Sequence, residues 1–391
     1  MSKELTEIAR QLQNTNKKVQ LIYAFNGTGK TRLSRDFKQL IAPKENGNED
    51  GDETEQAGLS RNKILYYNAF TEDLFYWDND LADDLDPKLK IQPNTFTDWV
   101  LIDQGQDQNI ITTFQRYTND KLTPRFNAER KEQDKDGKDF TVRAFSEVTF
   151  SMERGDATHS GNLKISKGEE SNFIWSIFYT LLEQVIGVLN VAEPADRETD
   201  QFNQLEYVFI DDPVSSLDEN HLIQLAVNLG QLINSSASGM KFVVSTHSAL
   251  FYNVLYNEVG AKSGYILSRL DDGTFEHEEK QGDSNKSFSY HLHIKNIIEQ
   301  AIATNSVQRY HFALLRNLYE KTANFLGYRR WSDLLPEDKK AYASRIMNFY
   351  PHNTLSNEEI AEPTPPEREM VGLLLRNLNT YGYWQQEPQN G

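Results

Sequence analysis

The pattern of apolar and polar positions predicts strand–helix alternation over roughly the first two-thirds of the chain. Residues 3–13 carry apolar positions at helical spacing. The run Val19 to Phe25 predicts a strand, and Asn26-Gly27-Thr28-Gly29-Lys30-Thr31 opens a helix reaching about Leu40. Strands are predicted again at Lys63–Tyr67, Val148–Met152, Tyr207–Ile210 and Lys241–Ser245. Between them lie an apolar helix from Phe173 to about Leu189, a polar insertion over 192–204 and a helix from about Glu219. Residues 71–90 and 104–140 mix aromatics, acids and glutamines without a period and predict no definite element. After about Leu267 the pattern turns to helices rich in Arg, His and aromatics, which predicts a domain boundary near residue 265, giving domains 1–265 and 266–391.

Composition narrows the class. The 391 residues are 38% hydrophobic, enough for a core, with a mean hydropathy of −0.66. No run of about 18 apolar residues occurs and the N-terminus lacks a signal peptide's apolar centre, so a cytoplasmic protein without a membrane partner is expected. Cysteine is absent, which excludes disulfides, cysteine-ligated zinc and a cysteine nucleophile. The net charge of −17 argues against non-specific clamping of duplex DNA. That charge is unevenly spread: residues 266–391 hold 14 basic and 17 acidic side chains, while residues 43–58 are rich in Gly and acids, a composition that predicts a mobile surface loop.

Candidate chemistry begins at the first strand–helix junction. Ala24-Phe-Asn-Gly-Thr-Gly-Lys-Thr31 matches a P-loop except at its first position, where Ala24 replaces Gly. Asn26, Gly27 and Gly29 would turn backbone N–H groups toward phosphates, with Lys30 adding a point charge and Thr31 a hydroxyl for Mg²⁺. The apolar run Tyr207–Ile210 stops at two carboxylates, Asp211 and Asp212. Asp211, at a strand's C-terminal end, is placed to hold a hydrated Mg²⁺, and Asp212 to lie beside an attacking water. Pro213 stops the strand, and Ser215-Ser216-Leu217-Asp218 turns into the next helix.

Ser166-Lys167-Gly168-Glu169 reads alone as a helix N-cap with an acid in its first turn. In order, however, come a P-loop, this Ser-x-Gly-Glu, the strand-end acids, the Ser-Leu-Asp turn, and His247 after a further strand. That order resembles the ABC-type ATPase heads of the SMC and RecF-like class. The resemblance implies an α/β ABC-type (P-loop) ATPase domain that binds Mg²⁺ with GTP or ATP. It further implies a head-to-tail homodimer, or a higher oligomer, in which Lys30 and Asp211 of one chain and Ser166 and Gly168 of the other enclose each nucleotide. His247 would be the switch histidine at the γ-phosphate. Asp212 stands where many such heads have Glu, one methylene longer, and no long coiled coil is present.

The C-terminal third offers a different constellation. Arg316 and Glu320 are four apart in a helical stretch and share a face, a spacing that also makes an ordinary ion pair worth a few tenths of a kcal/mol, roughly. His352 follows in a loop pattern. Taken together, Arg316, Glu320 and His352 resemble the catalytic triad of the PrrC-type anticodon nucleases. Asp283-Ser284-Asn285-Lys286-Ser-Phe-Ser-Tyr290 resembles that family's anticodon-recognition peptide, with Asp283 at the position that reads the modified wobble base. The resemblance spans essentially the whole chain. It implies a mainly α-helical C-terminal nuclease domain that cuts tRNA(Lys) on the 5′ side of the wobble nucleotide. It also implies a type I restriction–modification complex as silencing partner, activation by phage, and control by GTP hydrolysis and thymidine triphosphate.

The residues suit such chemistry. RNA is cut without a metal in the nuclease site when its 2′-OH attacks the adjacent phosphate, given a base, an acid and a fixed cation. Glu320 and His352 offer the proton-transfer groups, in either assignment, and Arg316 the cation. Phe288, Tyr290, His291 and His293 offer stacking surfaces for splayed bases. A second reading, a non-nucleolytic ABC-type ATPase acting through a separate effector, leaves Arg316, Glu320 and His352 structural.

Overall fold

The structure is a computed structural model. It describes residues 3–43, 63–68, 71, 73–78, 87–133, 137–152, 162–213, 219–270, 272–281, 290–338, 340–341, 343–344, 347 and 363–382. Residues 44–58 of the predicted acid-rich loop lie outside the described residues. The chain divides into two compact units, Met1–Gly282 and Asp283–Gly391.

The first unit begins with α1 (Leu5–Asn14), β1 (Val19–Tyr23), α2 (Lys30–Ile41) and β2 (Ile64–Tyr67). There follow β3 (Phe75–Asp78), β4 (Lys88–Ile91), α3 (Asp107–Tyr117), β5 (Leu122–Phe126), β6 (Arg130–Gln133), β7 (Asp139–Val142) and β8 (Glu147–Met152). The long helix α4 (Lys167–Leu189) leads to β9 (Tyr207–Asp211), α5 (Glu219–Ser235), β10 (Lys241–Thr246) and α6 (Ala249–Glu258). A hairpin of β11 (Ser263–Arg269) and β12 (Phe275–Gln281) completes the unit.

Six of these strands form one sheet in the order β12-β11-β1-β10-β9-β2. Every pair is parallel except β11–β12. β9 lies between two parallel neighbours and buries all five of its residues, as an apolar run in a doubly covered sheet must. One face packs on α1 and α2. There Leu5, Ile8 and Leu12, one stripe of α1, meet Leu33 and Phe37 of α2 over Ile22, Phe209 and Val243. On another part of the sheet, Tyr67 meets Trp175 and Phe178 of α4 at ring-centroid distances of 5.2 and 4.9 Å.

α4 starts six residues before the predicted Phe173, because Ser166 and Glu169 form a reciprocal capping box at its N-terminus. Among the described residues it is the one helix long and apolar enough to cross a membrane, and most of it is buried within the unit. Its length and hydropathy follow from being a core helix rather than a span. The stretches without a predicted element supply β3, β4 and β5, which join the predicted strand β8 in a second, antiparallel sheet, β3-β4-β8-β5, and they supply the ribbon β6-β7. Phe114 of α3, Phe150 of β8 and Phe173 of α4 fill the space against that sheet with mutual edge and tilted contacts.

The predicted boundary near 265 falls inside β11, and the strand–helix pattern does not end at Leu267. β12 pairs with β11 along its full length, so the first unit extends to Gly282. Its sequence, Phe-Glu-His-Glu-Glu-Lys-Gln, has few apolar positions because it is an edge strand.

Among the described residues the second unit is helical. It comprises α7 (Tyr290–Ala303), α8 (Arg309–Leu326), a 3₁₀ turn at Trp331–Leu334 and α9 (Pro365–Asn379). Ile298, Leu315, Tyr319, Leu334, Met347 and Leu374 form its core. The buried Tyr319 hydroxyl donates to the Leu374 carbonyl at 2.9 Å, and burial raises its pKa beyond the ordinary phenol range.

Candidate functional site

Strand order brings the first site together. The C-terminal ends of β1, β10 and β9 are adjacent, and their registers align Tyr23 with Thr246 and Ser245 with Asp211. The chain leaves these three ends as the P-loop, as His247 and as Asp212. The Ala24 amide donates to the Thr246 carbonyl at 3.0 Å and the Asp212 amide to the Ser245 carbonyl at 2.8 Å, so the ladder continues one residue past each strand.

Gly27 and Gly29 have φ of +80° and +109°, conformations that glycine adopts without the Cβ clash other residues meet. Gly29 caps α2, so the first helical amides and the dipole end face the loop. Lys30 is buried; its Nζ lies 3.2 Å from the Ala24 carbonyl, 3.4 Å from that of Phe25 and 3.3 Å from Asn26 Oδ1. The ammonium is thus curled into its own loop. Ala24 is itself fully buried beneath the loop, which accounts for a small residue there.

Asp211 is 2% exposed. Its two oxygens accept hydrogen bonds from Thr31 Oγ1 at 2.8 Å and Ser245 Oγ at 2.6 Å. Burial pushes its carboxyl up from the ordinary value, against the lowering effect of those two hydroxyls. Thr31 and Asp211 are the pair expected at Mg²⁺, and hard oxygen donors side by side fit such an ion. Ser245 escaped the sequence reading; its signal was a small polar residue following the apolar run Phe242–Val244.

Asp212 adopts φ +54°, left-handed backbone that Asp tolerates better than most residues. Its carboxylate meets His247 Nδ1 at 2.6 and 2.8 Å and Lys30 Nζ at 3.5 Å. Burial works against its charge, but the His247 hydrogen bond and the Lys30 ammonium outweigh it and hold the carboxyl below its ordinary value. Asp212 and His247, expected to serve water and γ-phosphate separately, therefore form one unit with the P-loop lysine.

Ser166 caps α4, its hydroxyl accepting from the Glu169 amide at 3.3 Å, with Gly168 in the first turn. Close by, the buried Glu170 accepts from Trp77 Nε1 at 2.9 Å, tying the helix start to β3. Asp218 lies outside the described residues.

In the second unit, Arg316 Nε donates to Glu320 Oε1 at 2.9 Å on one face of α8. The Arg316 guanidinium carbon sits 5.5 Å from the Trp331 ring centroid. Glu320 opens on a cleft of about 430 Å³, lined also by Asn324, Arg329, Arg330, Trp331 and Ser332. His352 and the peptide Asp283, Ser284, Asn285 and Lys286 lie outside the described residues; Tyr290 opens α7.

The first unit thus defines a P-loop protein with a parallel sheet and paired strand-end acids. The chain belongs to the anticodon nuclease family: it is 62% identical, over the full length of both chains, to a curated anticodon nuclease of Escherichia coli. No family model matches the chain. Solved structures similar to it include an SMC head domain with an extended coiled coil from Pyrococcus furiosus, at 13% identity and a TM-score of 0.28 over 48% of this chain and 37% of that one. The chain thus spans little more than a third of that structure's length. Another is the cbiO1 subunit of an ABC transporter complex from Clostridium perfringens, at 11% identity and a TM-score of 0.31 over 72% and 84%. A third is the SMC head domain from Thermotoga maritima, at 11% identity and a TM-score of 0.27 over 68% and 91%.

Proposed function

We propose that this chain is a nucleotide-gated endoribonuclease that cuts tRNA(Lys) 5′ of the wobble nucleotide as an antiphage defence. The observation that carries the reading is full-length 62% identity to a protein named anticodon nuclease. The Arg316–Glu320 pair beside an open cleft supports it.

Cleavage proceeds by attack of the 2′-OH on the neighbouring phosphate. Glu320 and His352 exchange protons with the attacking and leaving oxygens, and Arg316, braced by Glu320 and Trp331, offsets charge on the pentacoordinate phosphorus. Such a reaction needs no metal in the nuclease site.

The first unit acts as an ABC-type NTPase taking GTP or ATP, with thymidine triphosphate as a further ligand. Thr31 and Asp211 would hold Mg²⁺, whose role is to offset phosphate charge. Lys30, Asp212 and His247 place a cation, a carboxylate and an imidazole around the phosphate cradle. A head-to-tail dimer presents Ser166 and Gly168 of one protomer to the nucleotide of the other. A type I restriction–modification complex keeps the nuclease silent in the cytoplasm.

The test is cleavage of total tRNA by the purified, activated chain. One discrete cut in tRNA(Lys), with 2′,3′-cyclic phosphate and 5′-OH ends and with resistance to EDTA in the cutting step, is expected. His352→Ala should slow it by about 10²–10⁴-fold while nucleotide hydrolysis persists. A 5′-phosphate product would sink the mechanism.

A further inference from the structure

The end of α8 has a composition unlike the rest of this acidic chain. Phe325-Leu-Gly-Tyr328-Arg329-Arg330-Trp331 places three aromatic rings and two arginines within seven residues. Phe325 is 73% exposed and Tyr328 42%, and the Arg330 side chain is 76% exposed. Interleaved rings and cations on a surface are what single-stranded RNA recognition uses: rings stack on unpaired bases, and arginines meet the phosphates between them.

Position adds to composition. Arg329, Arg330 and Trp331 line the same cleft as Glu320. Glu320 is matched there by Arg316, so Arg329 and Arg330 leave the described lining with an excess of positive charge. The Arg330–Asp333 contact, long at 3.4 Å and with the arginine side largely in water, offsets little of it. Trp331 is held by two neighbours, with Arg316 over its ring and Tyr319 at a centroid distance of 6.4 Å in an edge arrangement. A rigid ring is a better stacking platform than a mobile one, because less freedom is lost on binding. The same ring fixes the guanidinium of Arg316.

We propose that residues 325–331 form the RNA-docking surface of the nuclease cleft, with Trp331 stacking an unpaired base of the anticodon loop and Arg329 and Arg330 holding the phosphates beside the cut. This rests on the functional reading above and assigns side chains that reading does not use. Trp331 is also a positioning residue for Arg316.

The experiment uses the full chain and a fluorescein-labelled tRNA(Lys) anticodon stem-loop. The probe carries a 2′-deoxy sugar on the nucleotide before the cut, so that it binds without being cleaved. Arg329→Gln/Arg330→Gln should raise Kd about tenfold and flatten the plot of log Kd against log salt by about 1.4, at roughly 0.7 per single-strand phosphate contact. Arg329→Lys/Arg330→Lys should keep the wild-type slope. Trp331→Leu should raise Kd about tenfold, and Trp331→Tyr should restore most of it. Lys340→Gln, in the same unit but pairing with Glu337 away from the cleft lining, should bind as wild type. Thermal melting of each variant separates lost contacts from lost folding. For Trp331, photocrosslinking of a 5-iodouridine stem-loop to the wild-type chain reads the contact without any substitution.

Wild type that cuts tRNA(Lys) while the double Gln variant and Trp331→Leu bind with wild-type Kd and slope overturns this inference alone. Loss of docking to a protein partner with RNA binding untouched does the same, and makes the segment a protein-binding surface. Wild type that neither binds nor cuts any tRNA overturns the functional reading and this inference with it.

Discussion

The Thr31 hydroxyl donates a 2.8 Å hydrogen bond to Asp211 Oδ2, joining the helix after the P-loop to a strand end 180 residues further along the chain. Ser245 holds the other oxygen of the same carboxylate. Asp211→Asn keeps this shape and removes the charge. Nucleotide hydrolysis should fall by about 10²-fold or more, as when a group aimed at transition-state charge is lost. The melting temperature should hold or rise, because a neutral amide avoids the desolvation that opposes the buried carboxylate. Asp211→Ala should instead melt lower, since two hydroxyls lose their acceptor at about 1–3 kcal/mol each if they remain buried. Calorimetry beside a phosphate-release assay checks both; Asn melting below Ala would count against the argument.

Asp212 combines a left-handed backbone with contacts to His247 and Lys30. Lengthening it to Glu does not simply restore the residue many ABC-type heads carry, because the left-handed conformation costs ordinary residues about 1–2 kcal/mol. Asp212→Glu is expected to lower the melting temperature by a few degrees, roughly, and not to accelerate hydrolysis. Asp212→Asn tolerates the same φ but removes the anion that Lys30 and His247 favour, so it should melt below wild type as well as lose hydrolysis. A faster Asp212→Glu enzyme of wild-type stability would refute this account.

The resemblance of residues 283–290 to an anticodon-recognition peptide makes a charge-specific prediction. Asp283→Asn keeps size and hydrogen-bonding shape but removes the anion that would pair with a cationic wobble substituent. Cleavage should persist with a weaker preference for modified over unmodified tRNA(Lys). Competition between the two substrates measures this, and unaltered discrimination would retire Asp283 as the reader.

His277 supplies a pH dependence. It lies on β12, stacked on Tyr265 at 4.4 Å between ring centroids. Burial, with help from Lys3 and against Glu279, lowers its pKa from 6.5 to about 4. Between those values the unfolded chain takes up a proton that the folded chain refuses, so stability rises with pH there. The contribution is complete above about 6.5 and is lost as pH falls toward 4. His277→Phe keeps a stacked ring and removes the titration. Its melting temperature should therefore fall less than wild type between about pH 7 and pH 5; parallel thermal scans at the two pH values test this, and equal falls would show that His277 does not titrate as argued.

The local geometry was legible in the sequence: the turns at Gly27 and Gly29, the helix opening at Lys30 and Thr31, and Ser166 as a helix cap, because loop and cap signals depend on neighbours a few residues away. β9 was equally plain, since a strand buried on both faces must be apolar throughout. β12 and the strands β3 to β7 were not. Edge and short antiparallel strands carry weak patterns, and their identity depends on partners far along the chain, as when β4 pairs with β8. Nor could sequence tell that Asp212 bonds His247 and Lys30, or that Trp331 braces Arg316. The sheet order β1-β10-β9 decides the first, and the turn after α8 the second, because only folding sets which distant side chains meet.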